Sequence, residues 1–269
     1  IFVLVGVHRT IFVTIVSGNT EAELVGTTGY RHIVVAQYTG IQRIAYGVDN
    51  RFAPVRAQEI RTVDGGQKFT IVDRQYGDFE AFIPVPGQHN IYNALAAAAA
   101  CYACGLTFDQ IIEGLHAYNG AGRRFEYHCT VNGAVVADDY AHHPDAYNVT
   151  FKTARDLGFK RIIAIHQPHT FSRTKMMMNE FVDALSKVDH VLVTPIYAAR
   201  ETNDDYNIYA EDVVQRLPNA ELVPDFDAVA DRIKELARPG DLFITLGCGD
   251  IYKAAILTSK KYGETKFSS

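Results

Sequence analysis

The chain has 269 residues, 48% of them apolar, and a net charge of −5 with histidines neutral. That length fits one large domain or two ordinary ones with sizeable cores. The acidic balance, without a Lys/Arg-rich run, excludes nucleic acid as the main partner, and no apolar run is long enough to span a bilayer.

In chain order, residues 1–6 read as a buried strand. Residues 6–10, Gly-Val-His-Arg-Thr, then resemble a phosphate loop that lacks the Gly-Lys-Ser/Thr ending a working loop needs. Residues 11–16 and 33–35 read as further strands. Helices are scarce before residue 40, which suggests an incomplete chain or one joining segments that are separate in its parent. The apolar start is interrupted by His8 and Arg9 and lacks the leader and cleavage site of a signal peptide. Strands follow at 41–46, 57–62, 68–73 and 80–83, with a hairpin turn at Asp64-Gly65-Gly66. Pro84 to Gly87 break the sheet. The alanine-rich stretch 90–104 predicts a helix closed by Gly105, and Thr107 with Gln110 forms a capping box for the next. Residues 119–122, Asn-Gly-Ala-Gly, read as a linker between domains.

Beyond the linker, 124–139 is a hairpin turning at Asn132-Gly133. Strands at 161–166, 190–194, 221–223 and 241–246 then alternate with helices at 145–157, 175–186, 210–215, 225–237 and 250–259. That alternation predicts a mostly parallel sheet covered on both faces. Four cysteines, Cys101, Cys104, Cys129 and Cys248, read as free buried thiols of a reducing, cytoplasmic compartment. Cys101-x-x-Cys104 lies in a helical run with no second pair, so zinc is not expected.

Polar clusters fall where successive strands end: Asp138, Asp139, His142 and His143; Gln167 to Arg173; Pro195 to Glu201; and Gly247 to Asp250. In a parallel sheet these open on one edge, where ligands bind. Each also has a structural reading, since Asp139 could cap a helix and the histidines could lie on the surface. Gly247-x-Gly249 lacks the third glycine of a dinucleotide loop, and Met176 to Met178 suit helix packing. His116, His128 and His190 read as structural or exposed. Upstream, Asn90 and Asn93 sit one turn apart at a helix start, where amides can read a base edge or simply cap. Arg123 and Arg124 could grip a phosphate or face solvent.

Taken together, Gly87-x-His89-Asn90-x-x-Asn93-Ala94, Gly120-x-Gly122-Arg123-Arg124-Phe125, Asp138-Asp139-Tyr140-Ala141-His142-His143-Pro144 and Gln167-Pro168-His169-x-x-Ser172-Arg173-Thr174 resemble the Mur ligase family. The resemblance runs from about residue 43 to 252. It implies an α/β fold: a partial, mixed central ATPase domain over residues 1–120, then a Rossmann-like, mostly parallel carboxyl-terminal domain over 121–269. It implies ATP-dependent ligation of L-alanine to UDP-N-acetylmuramate through an acyl phosphate, with ATP and Mg²⁺ as cofactors. It assigns His142, His143 and Asp139 to catalysis. His169, Arg173 and His142 fall to L-alanine, and His89, Asn90, Asn93, Arg123, Arg124 and Asp138 to ATP. No metal ligand is assigned. A monomer or weak homodimer in the cytoplasm is expected. The alternatives are a ligase recycling murein tripeptide, a non-catalytic fragment, or a phosphohydrolase binding metal through Asp139, His142, His143 and His169.

Overall fold

A computed structural model describes residues 2–7, 10–15, 42–48, 55–73 and 76–265. The chain divides into two compact units, Ile1–Asn119 and Gly120–Ser269.

The first unit is a six-stranded sheet in sequence order: β1 (Phe2–Val7), β2 (Thr10–Ile15), β3 (Gln42–Val48), β4 (Val55–Val63), β5 (Gly66–Asp73) and β6 (Gly77–Ile83). All neighbours run antiparallel except β3 and β4. The stretch read as a phosphate loop is corrected here. β1 and β2 pair antiparallel with Val7 opposite Thr10, whereas a phosphate loop leads from a strand into a helix. The strand expected at 33–35 lies outside the described residues. The β4–β5 turn has φ of 49° at Asp64 and 75° at Gly65, the pair of positive values that a type I′ hairpin needs.

Helix α1 (Gln88–Ala103) follows from the alanine run and buries Ile91 and Leu95 against Tyr46, Phe69, Ile71 and Ile83. Helix α2 (Phe108–His116) starts at the expected capping box: the Thr107 hydroxyl accepts from Gln110 N–H and the Gln110 amide accepts from Thr107 N–H.

The second unit opens with the antiparallel hairpin β7 (Glu126–Val131) and β8 (Ala134–Asp139). Its turn, Asn132 at φ 49° and Gly133 at φ 75°, is the predicted Asn-Gly type. The chain continues through α3 (Pro144–Asp156), β9 (Arg161–His166), α4 (Phe171–Met176), α5 (Met178–Leu185) and β10 (His190–Val193). It ends with α6 (Ala210–Val214), β11 (Ala220–Leu222), α7 (Phe226–Leu236), β12 (Asp241–Leu246) and α8 (Tyr252–Tyr262). The strand order is β11-β10-β9-β12-β8-β7, parallel throughout except for β7.

Alternate residues of the central strands feed two cores, as the strand period demands. Ile162, Ala164, Leu242 and Ile244 pack with α3, α5 and α6, while Ile163, Ile165 and Phe243 pack with α7 and α8. The chain therefore leaves β9 toward one face and β12 toward the other. Between these neighbours lies the kind of crevice where open α/β sheets bind ligands. The helix expected at 175–186 begins at Phe171 instead and breaks at Met177, whose φ of −112° and ψ of 22° interrupt the helical turn.

Candidate active site

The loops at the carboxyl ends of β8, β9, β10 and β12 form one polar rim. Asp138, the fifth residue of β8, is fully buried and accepts hydrogen bonds from Arg123 Nε at 2.8 Å and from the Thr245 hydroxyl. Arg123 also donates through Nη1 to Gly249 O (3.1 Å) and through Nη2 to Gly247 O (2.7 Å). Its guanidinium lies 4.9 Å from the Tyr140 ring and 4.6 Å from the Tyr252 ring. A guanidinium has five N–H donors, and these bonds leave few of them open. The pair thereby ties the entry of the unit to the loop after β12. Arg124 is exposed, makes no hydrogen bond among the described residues and lies 5.6 Å from the Tyr140 ring, so its charge stays available.

Asp139 is buried, and its two oxygens accept from Ala141 N–H (2.8 Å) and Phe125 N–H (3.0 Å). Burial lifts its carboxyl above the ordinary value, against the opposing pull of those amides and of Arg124. With both oxygens engaged it shapes the Tyr140–His143 loop. Asp139 does not cap α3; His143 does, its Nδ1 accepting from Asp145 N–H at 3.3 Å with Pro144 in the first turn. That cap engages only Nδ1, which leaves Nε2 as the ring nitrogen open to other partners. His142 makes a 2.9 Å contact between Nδ1 and Tyr140 O. With the Nδ1 proton on that carbonyl, the lone pair of the neutral ring sits on Nε2.

Opposite this loop, the His169 ring stacks on Tyr197 with centroids 5.4 Å apart and planes inclined by 17°. Burial, then the charges of Arg173 and His142, push the His169 pKa down and keep the ring neutral. Arg173 pairs with no carboxylate among the described residues; its one polar contact is Cys248 Sγ at 3.9 Å. So His142, His169 and Arg173 come together. The four residues considered as a metal set do not: among the described residues no group of three or more His, Cys, Asp or Glu side chains could hold an ion.

Several participants carry no assigned role in the sequence reading. Gln167 is buried and bridges β9 to β12, its Nε2 donating to Asp250 (2.9 Å) and its Oε1 accepting from Ile251 N–H (3.2 Å). Gly249 makes room for it: a Cβ there would sit 2.5 Å from Gln167 Oε1 and 2.9 Å from Tyr197. Beneath the rim, Tyr147 and His166 share a 2.7 Å hydrogen bond. Burial holds the Tyr147 phenol well above its usual value and the His166 imidazole down at about 3, so both are neutral. The only sequence signal for this pair was a histidine ending an apolar strand.

His89, Asn90 and Asn93 belong to the first unit, at the start of α1. Asn90 Nδ2 donates to Pro86 O (2.7 Å), and Asn93 Nδ2 donates to Asn90 Oδ1 (3.1 Å). The two amides thus order the helix entrance, which borders an apolar cleft of about 440 Å³ lined also by Ala94, Cys101, Gln110 and Leu115.

Residues 27–101 match the Mur ligase middle domain, and residues 123–249 match the domain described as Mur ligase, glutamate ligase domain. The UDP-N-acetylmuramate–L-alanine ligase of Acetivibrio thermocellus is 41% identical over 214 residues, covering 78% of this chain and 46% of that protein. The crystal structure of the UDP-N-acetylmuramate–alanine ligase of Thermotoga maritima superposes with a TM-score of 0.64 at 26% identity, covering 80% of this chain and 47% of that one. The murein peptide ligase of Psychrobacter arcticus shares the fold, with a TM-score of 0.56 at 23% identity over 83% of this chain and 47% of that one. The chain spans about half the length of the curated relatives it matches. Two matched domains in order, with the rim of His142, His169 and Arg173 in the second, lead to one conclusion: the chain belongs to the Mur ligase family.

Proposed function

We propose that this chain serves the ATP-dependent joining of L-alanine to UDP-N-acetylmuramate in peptidoglycan precursor synthesis. In this reading Ile1–Asn119 is part of the central ATP-binding domain and Gly120–Ser269 is the domain that delivers the amino acid. The observation that carries it is the unpaired Arg173 guanidinium beside two histidines, one of them held neutral. A planar fork of N–H donors suits the carboxylate of an amino acid, and it stays charged near neutral pH.

The chemistry then divides among the residues. The muramate carboxylate takes the γ-phosphoryl group of ATP, releasing ADP, and the alanine amine attacks the resulting acyl phosphate with release of phosphate. Arg173 anchors the alanine carboxylate. His142 Nε2, bearing a lone pair, accepts the proton that the ammonium must lose before it can attack. His169 stays uncharged and forms a wall with Tyr197, while Arg124 is the arginine available to a phosphate oxygen. Mg²⁺ is held by one or two carboxylates together with substrate phosphates in sites of this kind, and none of these steps runs through it.

The test is titration of the ¹⁵N-labelled protein with L-alanine, following the side chains of Arg173, His142 and His169. Saturable shifts at all three, absent with D-alanine, support the reading. Shifts produced only by a murein tripeptide would move the assignment to peptide recycling, and no shift with either overturns it.

A further inference from the structure

The loop after β10 gives the amino-acid site only the Tyr197 ring stacked on His169, yet it is bonded along its length to the loop that carries Arg173. Tyr197 N–H donates to Pro168 O at 2.8 Å and Thr170 N–H donates to Tyr197 O at 2.9 Å, joining His169 and Tyr197 as an isolated parallel bridge. Four residues later, Glu201 accepts from Ser172 N–H at 2.8 Å and, through its other oxygen, from the Ser172 hydroxyl. These bonds, the hydroxyl first and then the amide, hold the Glu201 carboxyl below its ordinary range, so it is ionised at neutral pH.

The turn so clamped is strained. Thr170 has φ of 64°, a left-handed conformation that β-branched residues rarely adopt. Its hydroxyl accepts from Arg173 N–H at 3.4 Å and lies 3.1 Å from Ser172 Oγ. Among the described residues Arg173 has no acid of its own to fix it, so its placement depends on this backbone turn. Glu201 is the carboxylate bonded to that turn from outside it.

We infer that Glu201 is a positioning residue for amino-acid binding: by holding Ser172 it keeps the 170–173 turn in the geometry that aims the Arg173 guanidinium at the substrate carboxylate. The inference rests on the alanine reading proposed above. It also explains why the loop after β10 reaches across to the β9 loop, while Gly249 leaves space for Tyr197 to do so.

The ¹⁵N-labelled full chain tests it, as wild type, Glu201→Gln, Ser172→Ala and the double variant. Gln keeps the size but lacks the charge and the second acceptor oxygen. Before any ligand is added, Glu201→Gln should move the Ser172 amide and the Arg173 Nε–Hε signals. L-Alanine affinity should fall about five- to twentyfold, the scale of a lost charged hydrogen bond. The double variant should be no worse than Glu201→Gln alone, because both changes break one linkage. An affinity within twofold of wild type, or effects that multiply, overturns the inference. If Glu201→Gln does not fold, Ser172→Ala carries the test, with a smaller loss of about three- to fivefold expected because the amide bond to Glu201 survives, and the same twofold limit against it. A wild-type protein that shows no alanine-dependent shift overturns the functional reading itself, and with it this inference.

Discussion

Arg123 and Arg124 are neighbours with opposite employment. Arg123 is held by Asp138 and two backbone carbonyls, while Arg124 is left open to solvent. Arg173 resembles the second kind, and its value as an anchor can be measured. In an intact ligase carrying this chain, Arg173→Lys keeps the charge and loses the fork. The KM for L-alanine should then rise about ten- to a hundredfold, matching about 1.5–3 kcal/mol for a charged hydrogen bond, with the KM for ATP unmoved. Steady-state kinetics with each substrate varied separately decides it, and an ATP effect of equal size would remove Arg173 from the amino-acid site. His166 permits a prediction about pH. Burial depresses its native pKa from 6.5 to about 3, so only the unfolded chain takes up the proton in between. Its contribution to stability is complete above pH 6.5 and is lost progressively as pH falls toward 3. His166→Asn keeps a hydrogen-bonding group for Tyr147 without titrating. Urea unfolding at stepped pH should therefore show wild type losing stability faster than the variant below pH 6.5, and parallel curves would refute the assignment.

At the scale of elements, local chemistry was the readable part. β9 and β12 match their expected bounds because their apolar runs are bracketed by Gly158 before and Gln167 after one, and by Gly240 before and Gly247 after the other. The Asn132-Gly133 turn and the Thr107–Gln110 capping box were legible because each is decided within four residues. What escaped was fixed by distant partners. The split between α4 and α5 has no Gly or Pro to announce it. Arg123 and Arg124 are indistinguishable in sequence, since the carbonyls that occupy Arg123 lie on the loop after β12, more than a hundred positions away. Glu201 was seen as a member of a strand-end cluster, but its partner Ser172 comes from the preceding loop. The candidate site was thus legible as a set of loops and only partly as a set of roles. A strand end announces itself locally, whereas the commitment of each donor depends on the topology that brings the loops together.

At the scale of the whole molecule, the second unit carries what a domain needs for independent folding. Its sheet is covered on one face by α3, α5 and α6 and on the other by α7 and α8, all from the same unit. Of its buried carboxyls, Asp138 pairs with Arg123 and Asp241 with Arg161, while Asp139 accepts two amides of the same unit. That internal pairing matters because an ion pair broken by truncation would leave an uncompensated buried charge, costing ~3–5 kcal/mol. The edge strand β7 is also partly covered from within, as Thr130 exchanges backbone hydrogen bonds with Glu264 and Thr265. A domain of roughly 150 residues buries about two-thirds of the surface its unfolded chain exposes, enough for ordinary stability. Residues 120–269 expressed alone should therefore give a dispersed amide spectrum and a single cooperative urea transition, with coincident midpoints by circular dichroism and fluorescence. Removal of residues 264–269 from that fragment should lower the midpoint by exposing the β7 edge, and should leave the transition cooperative. A broad transition, or dispersion that returns only when residues 1–119 are present, would mean that the two units share a folding core.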